Sequence, residues 1–129
     1  AVTKDGALVL TEEYRHPTGK RLLSCPGGFL DEGETPEEGA IRELMEETGY
    51  SAEAFQHIGT SYPYPGMTGQ RMHFFRAVGA YSVAPPQLEP TEVIYTVEKE
   101  IEEVHRHIRS GGDIDGVFCT ALFFHNLTV

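Results

Sequence analysis

The stretch from Gly28 to Tyr50 constrains this chain more than any other, because it specifies a helix at both ends. Thr35-Pro36-Glu37-Glu38 is a helix start. Thr35 can cap, Pro36 stands where a missing N–H costs nothing, and Glu38 is placed to close a capping box. Gly49 is the stop, since the left-handed residue after a last turn is cheapest as glycine. At about 100° per residue, Ala40, Ile41, Leu44, Met45 and Thr48 form one face, expected to be buried, and Glu43, Glu46 and Glu47 form another. Glu43 and Glu47 are spaced i,i+4, so one carboxylate stands above the other. Most acidic helix faces are simply solvated. The other way to make stacked carboxylates favourable is a hard divalent cation such as Mg²⁺, which takes oxygen ligands.

The spacing separates the two. Gly28, then Glu34, then Arg42-Glu43-Leu44-Met45-Glu46-Glu47-Thr48-Gly49-Tyr50 follows the pattern G-x5-E-x7-R-E-U-x-E-E-x-G-U, with U a bulky apolar residue. That pattern is the Nudix box, and the chain resembles a Nudix (MutT-like) hydrolase; only Tyr50, an aromatic at a more often aliphatic position, is unusual. The resemblance implies an α/β fold in which a mixed β-sheet is sandwiched between α-helices. It implies metal ligation by Glu43, Glu47 and the backbone carbonyl of Gly27, with Mg²⁺ the expected ion and Mn²⁺ the alternative. Glu46, Arg42 and a loop acid outside the box make up the implied catalytic set. Within that set Arg42 is expected to pair with acids of the helix, while Glu34 and Gly49 shape the box. The base in several such enzymes lies shortly before a late strand, where Glu92 precedes Val93-Ile94-Tyr95, with Glu89 as runner-up.

The rest of the chain reads as one domain, residues 1–129, without repeats, low-complexity tracts or linkers. Ala1-Val2-Thr3 is the tail of a strand, Lys4-Asp5-Gly6 a hairpin turn, and Ala7-Leu8-Val9-Leu10 a buried strand reaching Tyr14-Arg15. A short strand from Arg21 to Cys25 delivers Pro26-Gly27-Gly28 to the box. A proline- and glycine-rich loop, Thr60 to Gln70, precedes a core strand, Arg71 to Ala80. A second loop, Val83 to Glu92, precedes a strand at Val93 to Val97. Ile101, Val104 and Ile108 mark an amphipathic helix ending at Gly111-Gly112. Asp115 caps a last helix, Val117 to Leu127, with Phe118, Ala121, Leu122 and Phe124 to be buried. The chain starts with Ala1 inside a strand already begun, so a natural N-terminal segment is expected to be missing.

The net charge of −10 argues against nonspecific nucleic-acid or membrane-surface partners and suits cation-mediated contact with an anionic small molecule. Two distant cysteines give no disulfide framework, and a reducing cytoplasm is the default compartment. The six histidines show no zinc spacing and read as surface residues.

Three features resemble the ADP-ribose pyrophosphatase group of the family. They are Tyr14-Arg15 followed by Cys25-Pro26-Gly27-Gly28, Pro65 fifteen residues past the box in Tyr64-Pro65-Gly66, and a tail of Gly112-Asp113-Ile114-Asp115 leading into a second helix. The chain departs from that group at Gln70, where an acid is common. The resemblance implies hydrolysis of ADP-ribose to AMP and ribose 5-phosphate. Arg15, Gly28, Tyr64 and Pro65 are then the substrate-contacting residues, Tyr62 is a second stacking candidate, and a homodimer is one assembly the group uses. Alternatives are another nucleotide sugar, a nucleoside triphosphate or an RNA 5′ end as substrate. From a different class comes a domain that senses a nucleotide without cleaving it.

Overall fold

The computed structural model describes all 129 residues, Ala1–Val129. The strands are β1 (Val2–Thr3), β2 (Leu8–Arg15), β3 (Lys20–Ser24), β4 (Tyr50–Ser51), β5 (Ala54–Ser61), β6 (Met72–Ser82) and β7 (Ile94–Lys99). The helices are α1 (Pro36–Thr48), α2 (Ile101–Arg109) and α3 (Gly116–Leu127). The strands join in the order β3-β2-β1-β6-β4, with β5 added to β6 and β7 to β2. β1 runs parallel to β6, and every other pairing is antiparallel, so the sheet is mixed.

β2 is the strand from which the layers are built. Leu8 and Leu10 point to one face and pack with Val104 of α2 and with Phe118 and Leu122 of α3. By the two-residue alternation of a strand, Val9, Thr11 and Glu13 take the opposite face, which α1 covers. Val9, Leu10 and Thr11 are therefore all buried. The sheet lies between α1 on one side and α2 and α3 on the other, the α/β sandwich the sequence leads one to expect.

Local signals explain the element ends. Thr35 Oγ1 accepts from the Glu38 N–H at 3.2 Å, and Glu38 Oε2 accepts from the Thr35 N–H at 2.8 Å, completing the capping box. Gly49 adopts φ 73° and closes α1 by donating its N–H to Met45. Asp115 Oδ1 accepts from the Val117 N–H at 2.7 Å at the start of α3. Ser51 to Gly59, for which the sequence gives no element, forms the end of β4 and most of β5.

The burial of α1 differs from the expectation. Ile41 is 41% exposed, whereas Glu47 is 5% exposed. Leu44 and Thr48 are buried as expected, with Ala40 half-buried. The helix is thus rolled toward its acids: Ile41 and Glu47 flank Leu44 at i−3 and i+3, and the sheet covers the Glu47 side. Periodicity defines both flanks equally, and only packing chooses between them. Ile108 is likewise at the surface, while Ile101 and Val104 of the same stripe meet the core.

Candidate functional site

A cleft of about 970 Å³ opens where the β3–α1 loop, α1, the C-terminal end of β2 and the loops before β6 and β7 converge. Its wall brings together Arg15, Gly27, Gly28, Glu43, Glu47, Tyr64 and Glu92. Residues separated by up to 77 positions in sequence therefore meet at one site.

α1 supplies the central carboxylates. Glu47 lies against the loop and accepts a hydrogen bond from the Gly27 N–H at 3.0 Å, its one hydrogen bond to protein. No lysine, arginine or histidine pairs with it. Burial, then neighbouring Glu43, Glu13 and Glu92, push its pKa up to about 8 against the single Gly27 bond. Glu43 is also raised by burial, although Arg42 pulls in the opposite direction. Gly28 is needed for closeness: a Cβ there would sit on the Glu43 carboxylate.

Arg42 organises the box. Its Nε and Nη2 grip Glu34 at 2.8 and 3.0 Å, Nη1 reaches Glu43 at 2.9 Å and Glu46 at 3.1 Å, and Nη2 also donates to the Phe29 carbonyl at 2.8 Å. Every guanidinium nitrogen is engaged by protein, so the side chain fixes loop to helix. Glu34 in turn accepts from the Asp31 N–H at 2.9 Å, which closes the loop.

The loop acids divide clearly. Glu92 lines the cleft, and its Oε2 accepts from the Glu89 N–H at 2.8 Å while its own N–H donates to the Glu89 carbonyl. Glu89 is off the cleft wall. Glu46 and Pro65 do not line the cleft, although Glu46 shares the Arg42 guanidinium with Glu43. Glu46 follows Glu47's position by −100° around α1 and is held outward by Arg42. Pro65 rides at the tip of a turn in which the Tyr64 carbonyl accepts from Met67 and Thr68.

Two acids on the wall escaped the sequence reading as site residues. Glu13 lies beside Arg15 (Nη1–Oε1 3.0 Å), and burial raises its pKa. Asp115, recognised only as a helix cap, lies 3.9 Å from Arg15 Nη2. The alternation Val9, Thr11, Glu13 was the available signal for the first, since it puts Glu13 on the α1 face. Nothing local marks the second.

These residues suit a hard divalent cation. The buried Glu47 carboxylate has no cationic side chain paired with it, Glu43 lies one turn below, and the Gly27 backbone is in hydrogen-bond contact with Glu47. No three His, Cys, Asp or Glu side chains come together as a ready-made cation cage, so an ion here would take part of its coordination from backbone, water or substrate oxygens.

Comparison with known proteins bears on the family and the fold. The NUDIX domain model matches residues 1–113. The ADP-ribose pyrophosphatase of Bacillus subtilis is 32% identical over 111 residues, covering 85% of this chain and 60% of that protein. The GDP-mannose pyrophosphatase of Yersinia enterocolitica is 34% identical over 121 residues, covering 87% of this chain and 62% of that protein. A crystal structure of an ADP compounds hydrolase superposes with a TM-score of 0.80 at 25% identity, covering 97% of this chain and 66% of that one. The chain thus spans about 60% of the length of these two curated relatives.

Proposed function

The chain belongs to the Nudix family, and from that premise we propose that it is a Mg²⁺-dependent hydrolase of the diphosphate bond in a nucleoside diphosphate derivative. ADP-ribose, giving AMP and ribose 5-phosphate, is the proposed substrate, with Mn²⁺ as the alternative ion. The observation that carries the proposal is Glu47. A carboxylate only 5% exposed, unpaired with any cation and surrounded by Glu43, Glu13 and Glu92, is unfavourable in an apo protein and favourable around a metal.

Glu43, Glu47 and the Gly27 carbonyl would hold the metal. Bound there, divalent cations supply positive charge to the phosphoryl oxygens and leaving group and lower the pKa of an attacking water. Hydrolysis joins that water's oxygen to phosphorus, breaks the bridging P–O bond and releases a proton. Glu92, on the cleft wall with its backbone held in a turn, is the proposed acceptor. Arg42 and Glu34 are positioning residues that keep the loop against α1. Gly28 leaves room for Glu43. Arg15, at the end of β2, and Tyr64, in the loop before β6, would contact the nucleotide, Tyr64 by stacking.

The 34% identity to a GDP-mannose pyrophosphatase favours a second reading, the same chemistry on another nucleotide sugar. No helix is long and apolar enough to cross a membrane, and a cytoplasmic location is part of the proposal.

Product analysis tests both. The protein is incubated with Mg²⁺ and ADP-ribose, other nucleotide sugars, nucleoside triphosphates or 5′-triphosphorylated RNA, beside Glu47→Gln. Release of AMP from ADP-ribose, lost in the variant, supports the first reading. Preference for a different nucleotide sugar supports the second. Turnover unaffected by Glu47→Gln would refute the metal assignment.

A further inference from the structure

The cleft is short of available positive charge. Glu13, Glu43, Glu47, Glu92 and Asp115 all line it, against three arginines, Arg15, Arg71 and Arg76. Arg15 is paired with Glu13 at 3.0 Å and lies 3.9 Å from Asp115. Arg76 is latched to the end of α3, donating to the His125 ring at 3.2 Å, the His125 carbonyl at 2.8 Å and Thr128 Oγ1 at 2.6 Å. Arg71 alone of the three makes no hydrogen bond and no ion pair.

Its placement is nonetheless defined. Arg71 immediately precedes β6, whose first residue, Met72, pairs with Ser61 of β5, so the sheet fixes the backbone beneath an exposed side chain. His73 lies two residues on, at the same side of the strand by alternation, and also lines the cleft. The His73 pKa is lowered by burial and then by the Arg71 charge, which agrees with a guanidinium near that ring. An arginine with no protein partner breaks no protein contact when it takes a ligand oxygen, and its planar fork suits phosphate.

We propose that Arg71 binds a phosphoryl oxygen of the substrate's diphosphate that the carboxylate-held cations leave uncompensated, and so sets affinity rather than turnover. The proposal rests on the diphosphate-hydrolase reading above and adds a residue to it.

The test compares wild type, Arg71→Ala and Arg71→Lys in two assays: steady-state hydrolysis of ADP-ribose with Mg²⁺, and calorimetric titration with inorganic pyrophosphate in the presence of Ca²⁺. Arg71→Ala is expected to raise KM and the pyrophosphate Kd by about ten- to a hundredfold, the range of a charge-assisted hydrogen bond, with kcat within about twofold. Arg71→Lys should recover part of the affinity. The melting temperature should not move, because no protein contact is lost. Unchanged KM and Kd in Arg71→Ala, or a fall in kcat at constant KM, overturns the proposal. The two readings fail separately. Wild type that hydrolyses nothing but loses pyrophosphate binding with Arg71→Ala refutes the hydrolase and keeps the anion site. Wild type and Arg71→Ala that cleave ADP-ribose alike do the reverse.

Discussion

Replacing Glu47 with glutamine should make the metal-free protein more stable at neutral and alkaline pH while abolishing its response to Mg²⁺. Folding lifts the Glu47 pKa from its ordinary 4.5 to about 8. A folded pKa above the unfolded one means that the native state binds the proton more tightly. The associated stability is complete below pH 4.5 and is lost as the pH rises to about 8. A tenfold change in proton affinity is worth about 1.4 kcal/mol, so the loss is on the order of 4–5 kcal/mol above pH 8 and roughly 3 kcal/mol at pH 7. That is a large share of the ~5–15 kcal/mol that holds a domain together. Glutamine keeps the size and can still accept from the Gly27 N–H, but it cannot ionise. Metal-free Glu47→Gln should therefore show a flatter stability profile between pH 5 and 8.5 than wild type. At ~3–5 °C per kcal/mol for a domain of this size, its melting temperature at pH 8 should lie about 15 °C above that of wild type in EDTA. Mg²⁺ at a hundred times its Kd should restore about 3 kcal/mol to wild type by mass action and nothing to the variant. Thermal melting across pH, with EDTA or Mg²⁺, measures all of this. Metal-free wild type equally stable at pH 5 and pH 8.5, or Mg²⁺ stabilising both proteins alike, would refute the reasoning.

Two further outcomes follow from the fold. Gly49→Ala should destabilise by about 3 kcal/mol or more in urea denaturation, because the residue holds φ 73° and a Cβ would run into the Ala84 carbonyl. A loss under about 1 kcal/mol would mean that the Val83–Ala84 segment yields easily. With a thiol reagent at pH 8, one cysteine should react fast and the other much more slowly. Cys119 is exposed on α3, whereas Cys25 is only half-buried but desolvation pushes its thiol up to about 11, leaving little thiolate to react; two equally fast equivalents would contradict that assignment.

Much of the site could be read before any packing was known, because it is local. The capping box of Thr35 and Glu38, the Gly49 stop and the stacked Glu43 and Glu47 follow from short-range geometry, and the box spacing carries the family with them. Glu92 was legible as a loop acid before a strand. Its like-charge proximity to Glu13 was not, since β2 and the β6–β7 loop are brought together only by the β2–β7 pairing, Glu13 opposite Ile94. The same holds for Arg15 and Asp115, which meet only once the Leu23–Ile114 bridge draws the start of α3 beside β3.

What the amino-acid sequence determined by itself is where α1 starts and stops and which side chains stand one turn apart, because caps and the 3.6-residue period act within a few residues. What only the tertiary structure decided is which flank of that helix meets the sheet. Rolling α1 so that Glu47 goes in and Ile41 stays out removes water from one carboxylate and leaves it without a counter-charge. Desolvation is a property of surroundings drawn from distant parts of the chain, so the same glutamate that reads as one of three equivalent acids in sequence becomes, in the fold, the one that most needs a cation.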